Sequence, residues 1–191
     1  MIYEALKCIA EEINELFRVK LKVNDDRIII SGLTSQDGST AIQSENKIVI
    51  TLVNIEKEIN GLNAGSTLSA GQSVKKNQST NVNLTLMFSA YFAANNYPEA
   101  LRFISFIIAY FQSNGVFTHA NTPGLDSRID KMMIEMVNFS PEQHNNIWSM
   151  LGAKYMPSVI YKLRMLTFNE SIIQEIRPAI TGLGQQTSAK P

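Results

Sequence analysis

Residues 81–112 constrain the fold more than any other stretch. Val82, Leu84, Leu86, Phe88, Ala90 and Phe92 alternate with Asn81, Asn83, Thr85, Met87, Ser89 and Tyr91. Successive strand side chains point to opposite faces, so this alternation predicts a half-buried strand. Asn95-Asn96 predicts a turn. Pro98 falls where a helix can start, because a first-turn proline gives up an N–H that has no intrahelical partner. The helix that follows is the most apolar in the chain. Tyr97, Ala100, Leu101, Ile104, Ile107, Ile108 and Phe111 form a core-facing stripe at helical spacing. Phe103, Phe106 and Tyr110 form a second stripe beside it, leaving Arg102, Ser105, Ala109 and Gln112 for water. One sheet cannot cover both stripes, so the second predicts a subunit interface. Cover by the first helix or the C-terminal tail within one copy is the alternative.

A chain of 191 residues suits one domain with a sizeable core. Its 17 basic and 17 acidic residues cancel. That balance removes the electrostatic reason to expect nucleic acid or an anionic membrane as partner. The apolar run from Phe103 to Phe111 is too short to span a bilayer. Met1 runs straight into a glutamate-rich helix, which predicts no signal peptide and a protein assembled in the cytoplasm. The single cysteine, Cys8, excludes an internal disulfide and a cysteine metal cage.

Residues 2–18 read as an amphipathic helix with Ile2, Leu6, Ile9, Ile13, Leu16 and Phe17 on one face. A small edge strand is expected around Ile28-Ile29-Ile30, then a loop over 32–44. Residues 47–56 carry apolar side chains on both faces, which predicts a central strand. Residues 60–80 are Gly-, Ser-, Thr- and Asn-rich, with Lys75-Lys76 the one adjacent basic pair. Such a segment buries too little to order itself, and predicts a loop that is mobile or ordered by a partner. Val116-Phe117 predicts a short extended piece, and 131–139 a third main strand. Ser140-Pro141-Glu142-Gln143 is a helix start with N-cap, first-position proline and capping-box glutamine. Residues 158–168 read as the last strand, before Ile172, Ile173, Ile176 and Ile180 and a polar tail. The sum is an α+β domain over 1–169, a mostly antiparallel sheet of about four main strands with three helices, and a C-terminal arm over 170–191.

The residues yield no catalytic constellation, so no enzyme and no cofactor is expected. His119 and His144 lie in different elements without metal-ligand spacing. Cys8 sits between Leu6 and Ile9, as a packed side chain does. Asp126 and Asp130 flank Arg128, which opposes a raised carboxylate pKa. The run from Gly65 to Gly71 lacks the Gly-Lys-Ser/Thr of a phosphate loop, and there is no Gly-x-Ser-x-Gly elbow.

One stretch carries a family likeness. Residues Asn145, Trp148, Leu151, Gly152, Tyr155, Pro157, Ser158 and Tyr161 are spaced Asn-x-x-Trp-x-x-Leu-Gly-x-x-Tyr-x-Pro-Ser-x-x-Tyr. This resembles the signature of the cap (tail-terminator) proteins of contractile injection systems, phage-tail-like particles related to antifeeding prophages. The opening residues, the strand before Asn54-Ile55-Glu56 and residues 81–112 are similar to that family's layout as well.

The resemblance implies a structural protein forming a hexameric ring on the distal end of sheath and inner tube, where it stops further polymerisation. Another ring adaptor of the same particle, tube-initiating or part of the baseplate, is the alternative. The extra C-terminal domain of some members has no counterpart in these residues. Sheath and tube proteins are the implied partners. The arm residues Ile172, Ile173, Ile176, Ile180 and Leu183 are the candidate sheath contact, and Lys75 and Lys76 in the loop the candidate tube contact. The signature itself also has a plain structural sense. Gly152 can end a helix, Trp148 and Tyr155 can bury large rings, and Pro157 holds Met156 extended into the last strand.

Overall fold

A computed structural model describes residues 1–58, 73–74, 82–167 and 176–177. Helix α1 (Ile2–Leu21) buries Ala5, Leu6, Ile9, Ile13 and Phe17, as its periodicity predicts. Six strands follow the order β1-β2-β4-β7-β6-β5 in one sheet. They are β1 (Ile28–Ile30), β2 (Lys47–Lys57), β4 (Val82–Tyr91), β5 (Val116–Thr118), β6 (Ile129–Met136) and β7 (Ser158–Thr167). Every pairing is antiparallel except β1 with β2. The four main strands are those expected, and β1 and β5 are the two short pieces added at either edge. A separate two-residue ribbon joins β3 (Ser73–Val74) to β8 (Ile176–Arg177). Helix α2 (Tyr97–Ser113) follows a single 3-10 turn, and α3 (Pro141–Leu151) precedes β7.

Cross-strand register assigns the two faces. Ile50, Phe88 and Val159 lie on one row, and Leu52, Leu86, Tyr161 and Met136 on the next. Helices α1 and α2 cover this face, and the main core forms between them and the sheet. Phe111 of α2 meets Phe88 at 5.4 Å and Tyr161 at 4.8 Å between ring centroids. Such pairs add about 0.5–1.5 kcal/mol beyond the area they bury. Among the described residues the opposite face has an apolar cover at one end alone. There Val49, Met87 and Ile160 pack under Leu33 and Ile42 of the 31–46 connection and Trp148 of α3.

Two expectations about strands need correcting. β4 is not half-buried along its length, because that second cluster also covers Met87 and Ser89, both fully buried. β2 is not central along its length either. It pairs with β1 over Ile48–Ile50 alone, and burial gives way to exposure from Asn54 onward. A bulge at Val53 separates the two halves of β2.

Two polar devices fix the edges of this core. Asn14, buried on α1, accepts the N–H groups of Arg27 and Ile28 at 2.9 Å each and donates to the Ile28 carbonyl at 3.2 Å. One side chain thereby satisfies backbone groups that the short parallel strand leaves over. At α3, Ser140 Oγ accepts from Gln143 N–H at 3.3 Å while Gln143 Oε1 accepts from Ser140 N–H at 2.9 Å. This is the capping box the sequence predicts.

Candidate assembly surfaces

The second stripe of α2 lies against α1. Phe103 is buried, with its ring edge-to-face on Phe17 at 4.9 Å and tilted against Phe92 at 5.5 Å. Phe103 is therefore consumed within one copy, which corrects its placing at a subunit interface. Phe106 and Tyr110 are half-buried and pack on the same core. Burial, then the charges of Glu12 and Cys8, push the Tyr110 phenol up to about 12. Tyr97 and Leu101, expected in the core-facing stripe, are instead 52% and 43% exposed. The reason is rotational: α1 occupies one flank of α2, so the helix turns that flank inward and lifts the opposite side of its first two turns into solvent. Tyr97 and Leu101 carried the right signal, apolar residues four apart, and the periodicity assigned them to the core.

The signature residues divide between the two faces of the sheet. Trp148 is buried in the cluster under α3, and its Nε1 finds no acceptor among the described residues. Tyr155 is 71% exposed, with its ring 5.6 Å from that of Trp148. Leu151 is half-buried, and its carbonyl accepts from Thr34 Oγ1 at 2.8 Å. Gly152 has φ 63°, the left-handed conformation that ends α3 without a Cβ penalty. Pro157 offers its carbonyl to Ala90 N–H at 2.9 Å, and Ser158 opens β7 opposite Ser89. Tyr161 is buried on the other face, among Phe88 and Phe111. The motif thus works as a helix-to-strand corner that ties the two cores together, with Tyr155 and the 64%-exposed Met150 left at the surface.

Of the arm and loop residues, Lys75, Lys76, Ile172, Ile173, Ile180 and Leu183 lie outside the described residues. Ile176 opens β8 and is paired with Val74 of β3.

The remainder of the second face is a polar ladder. Lys162 Nζ reaches Glu56 at 3.4 Å and Arg164 reaches Glu135 at 3.5 Å, around Asn83, Thr85 and Met133. Among the described residues no group of three or more potential metal ligands converges, and no helix is long and apolar enough to cross a membrane. His119 is exposed in the turn after β5, and His144 stands edge-on to Phe139. Arg128 holds the Asp126 carboxyl well below the usual range through its side-chain and backbone N–H groups. Burial, with Glu12 and Glu11 nearby, pushes the Cys8 thiol up to about 11, far from a reactive thiolate. A groove of about 440 Å³ along α1, lined by Glu11, Glu12, Asn14, Glu15, Arg18 and Asp26, is open and mostly acidic.

Comparison with known proteins adds a family and a fold. The sequence model of the family described as Pvc16 N-terminal domain matches residues 6–182. Among solved structures, one similar chain is the PVC sheath/tube terminator of an extracellular contractile injection system, in the extended state. It has TM-score 0.57 and 16% identity, covering 100% of this chain and 64% of that one. The tube-terminating cap of the anti-feeding prophage matches at TM-score 0.52 and 14% identity, over 94% of this chain and 60% of that one. The chain therefore spans a little under two thirds of these structures' length. No curated protein matches it.

Proposed function

The chain belongs to the Pvc16 N-terminal domain family, and from that footing we propose that it is a structural cap of a contractile injection system. Six copies close into a ring on the distal end of the inner tube and sheath and stop both from growing. The role involves no turnover and no cofactor. What supports this reading is the likeness of the whole described fold to two tube-terminating proteins, together with the signature corner from Trp148 to Tyr161.

A closed ring needs two different patches on each subunit. One is the exposed side of α2 that carries Tyr97 and Leu101, and the half-buried Phe106 and Tyr110 on the α1 flank of the same helix supply the other. The arm residues Ile172, Ile173, Ile176, Ile180 and Leu183, and Lys75 and Lys76, are the proposed contacts for sheath and tube. Negative-stain images of the purified protein test the ring, and a pull-down against sheath and tube subunits separates a cap from a tube-initiating adaptor. Phe106→Asp abolishes rings on this reading. Leu101→Asp does the same without touching the core, so rings formed by a folded Leu101→Asp protein would remove the Tyr97–Leu101 side of α2 from the interface.

A further inference from the structure

The two outermost strands of the sheet carry no edge protection of their own. β1 is Ile28-Ile29-Ile30 and β5 is Val116-Phe117-Thr118, both without charge or proline. Ile30 is 37% and Val116 42% exposed. Short uncharged runs of β-branched and aromatic residues favour pairing with any strand that arrives. Each strand also has backbone groups on its outer side. In β1, the Arg27 carbonyl takes the Ile48 N–H at 2.7 Å and the Ser31 N–H reaches the Ile50 carbonyl at 3.2 Å. Residues 27 and 31 thus face β2, and by alternation Ile28 faces away from it. In β5, the Gly115 carbonyl takes the Ile134 N–H at 2.9 Å, so Phe117 faces β6 while Val116 and Thr118 face outward.

Both outer sides meet an asparagine. Asn14 Oδ1 accepts the Ile28 N–H at 2.9 Å, and Asn14 Nδ2 donates to the Ile28 carbonyl at 3.2 Å. Beyond Ile28 the strand has just Ile30 on that side, too short for a ladder of its own. At the other end of the sheet, Asn121 Oδ1 accepts the Thr118 N–H at 2.7 Å and Asn121 Nδ2 donates to the Val116 carbonyl at 2.8 Å. The Thr118 and Thr122 hydroxyls donate to the same Oδ1 at 3.1 Å each, which holds the amide against the edge. The Thr118 carbonyl is taken by the Thr122 N–H at 2.8 Å. A primary amide carries a donor and an acceptor in one plane, as a peptide unit does. Each asparagine therefore occupies the groups that one further strand would use. The two come from unrelated parts of the chain, a helix and a turn, and serve opposite ends of the strand order.

We propose that Asn14 and Asn121 are edge blocks, which keep a second copy or an extended partner from joining the sheet at β1 or β5. Contacts made at these two margins are then contacts between side chains. The inference stands apart from the ring reading above, since it concerns what the margins refuse and not which surface closes an assembly. It also gives the two asparagines different weights. Asn14 is buried and supports the fold as well, whereas Asn121 is exposed in a turn and can be replaced without opening the core.

Amide exchange and sedimentation of the full-length protein test this. In the unaltered protein the Ile28 and Thr118 amides exchange slowly at every concentration, because the bonds that protect them lie within one copy. Fast exchange of either amide overturns the proposal without any variant. In Asn121→Ala the Thr118 amide exchanges about tenfold faster in dilute solution. At high concentration it is protected again, and sedimentation shows species larger than those of the unaltered protein, with the infrared band of intermolecular β-pairing. Asn121→Lys loses the same amide bonds but leaves a charge at the margin, and it sediments as the unaltered protein does. A folded Asn121→Ala protein with unchanged sedimentation at all concentrations would overturn the proposal. So would Asn121→Lys associating as strongly as Asn121→Ala, since the cause would then be a loosened turn and not an opened edge.

Discussion

The two faces of the sheet are built from the same strands and stabilised very differently. On the helix-covered face, Leu84, Leu86, Phe88, Leu163 and Met165 are buried in succession along β4 and β7. On the other, apolar cover by the described residues ends after Met87 and Ile160, and the rows beyond are polar, Thr85 with Lys162 and the buried Asn83 with Arg164. One face holds the fold together through area removed from water. The other, past α3, is tied by half-exposed ion pairs worth about 0–1 kcal/mol each. Stability and surface chemistry are thus separated onto opposite sides of single strands, and the polar side can change without cost to the core.

Substitutions of decreasing severity can break that contrast. Phe88→Ala on the covered face removes a ring shared by Phe111 and Tyr161, and destabilises by about 3–5 kcal/mol in urea unfolding. Ser140→Ala removes the α3 cap, which supports the small cluster on the second face, and costs about 1 kcal/mol by the same measurement. Lys162→Ala, four residues from Ser158 on the same strand as Tyr161, changes the unfolding midpoint by less than about 1 kcal/mol equivalent. A Lys162→Ala loss as large as that of Phe88→Ala would show that the polar ladder is structural and that the two faces do not divide as described.

Much of this arrangement is legible in sequence because it depends on local periodicity. The alternation from Val82 to Ala90, the stripe of α1 and the Ser140–Gln143 box each specify their element through neighbours a few residues away. What is not legible depends on what arrives from far along the chain. Nothing near Met87 and Ser89 says that Leu33, Ile42 and Trp148 will cover them. Nothing near Tyr97 says that α1 will lie on the far side of α2 and leave that ring in solvent. Asn14 carried a readable hint, a polar residue in the apolar stripe of α1, where a buried amide must find backbone to serve. Asn121 carried none, since its role depends on an edge that exists only once the sheet has formed. Of the assembly surfaces, the signature corner was readable as a shape, whereas the exposed side of α2 was assigned to the core.

The extra residue at Val53 acts as a phase corrector. Were Val53 instead paired in the ladder, everything downstream in β2 would be out by one, carrying Ile55 round to the side of Lys162 and sending Glu56 beneath the helices. Deleting that single valine would close the bulge and keep Ile55 opposite Leu84 and Glu56 opposite Asn83, so the outer strip takes its facing from its pairing with β4 and not from its distance along the chain from Ile48–Ile50.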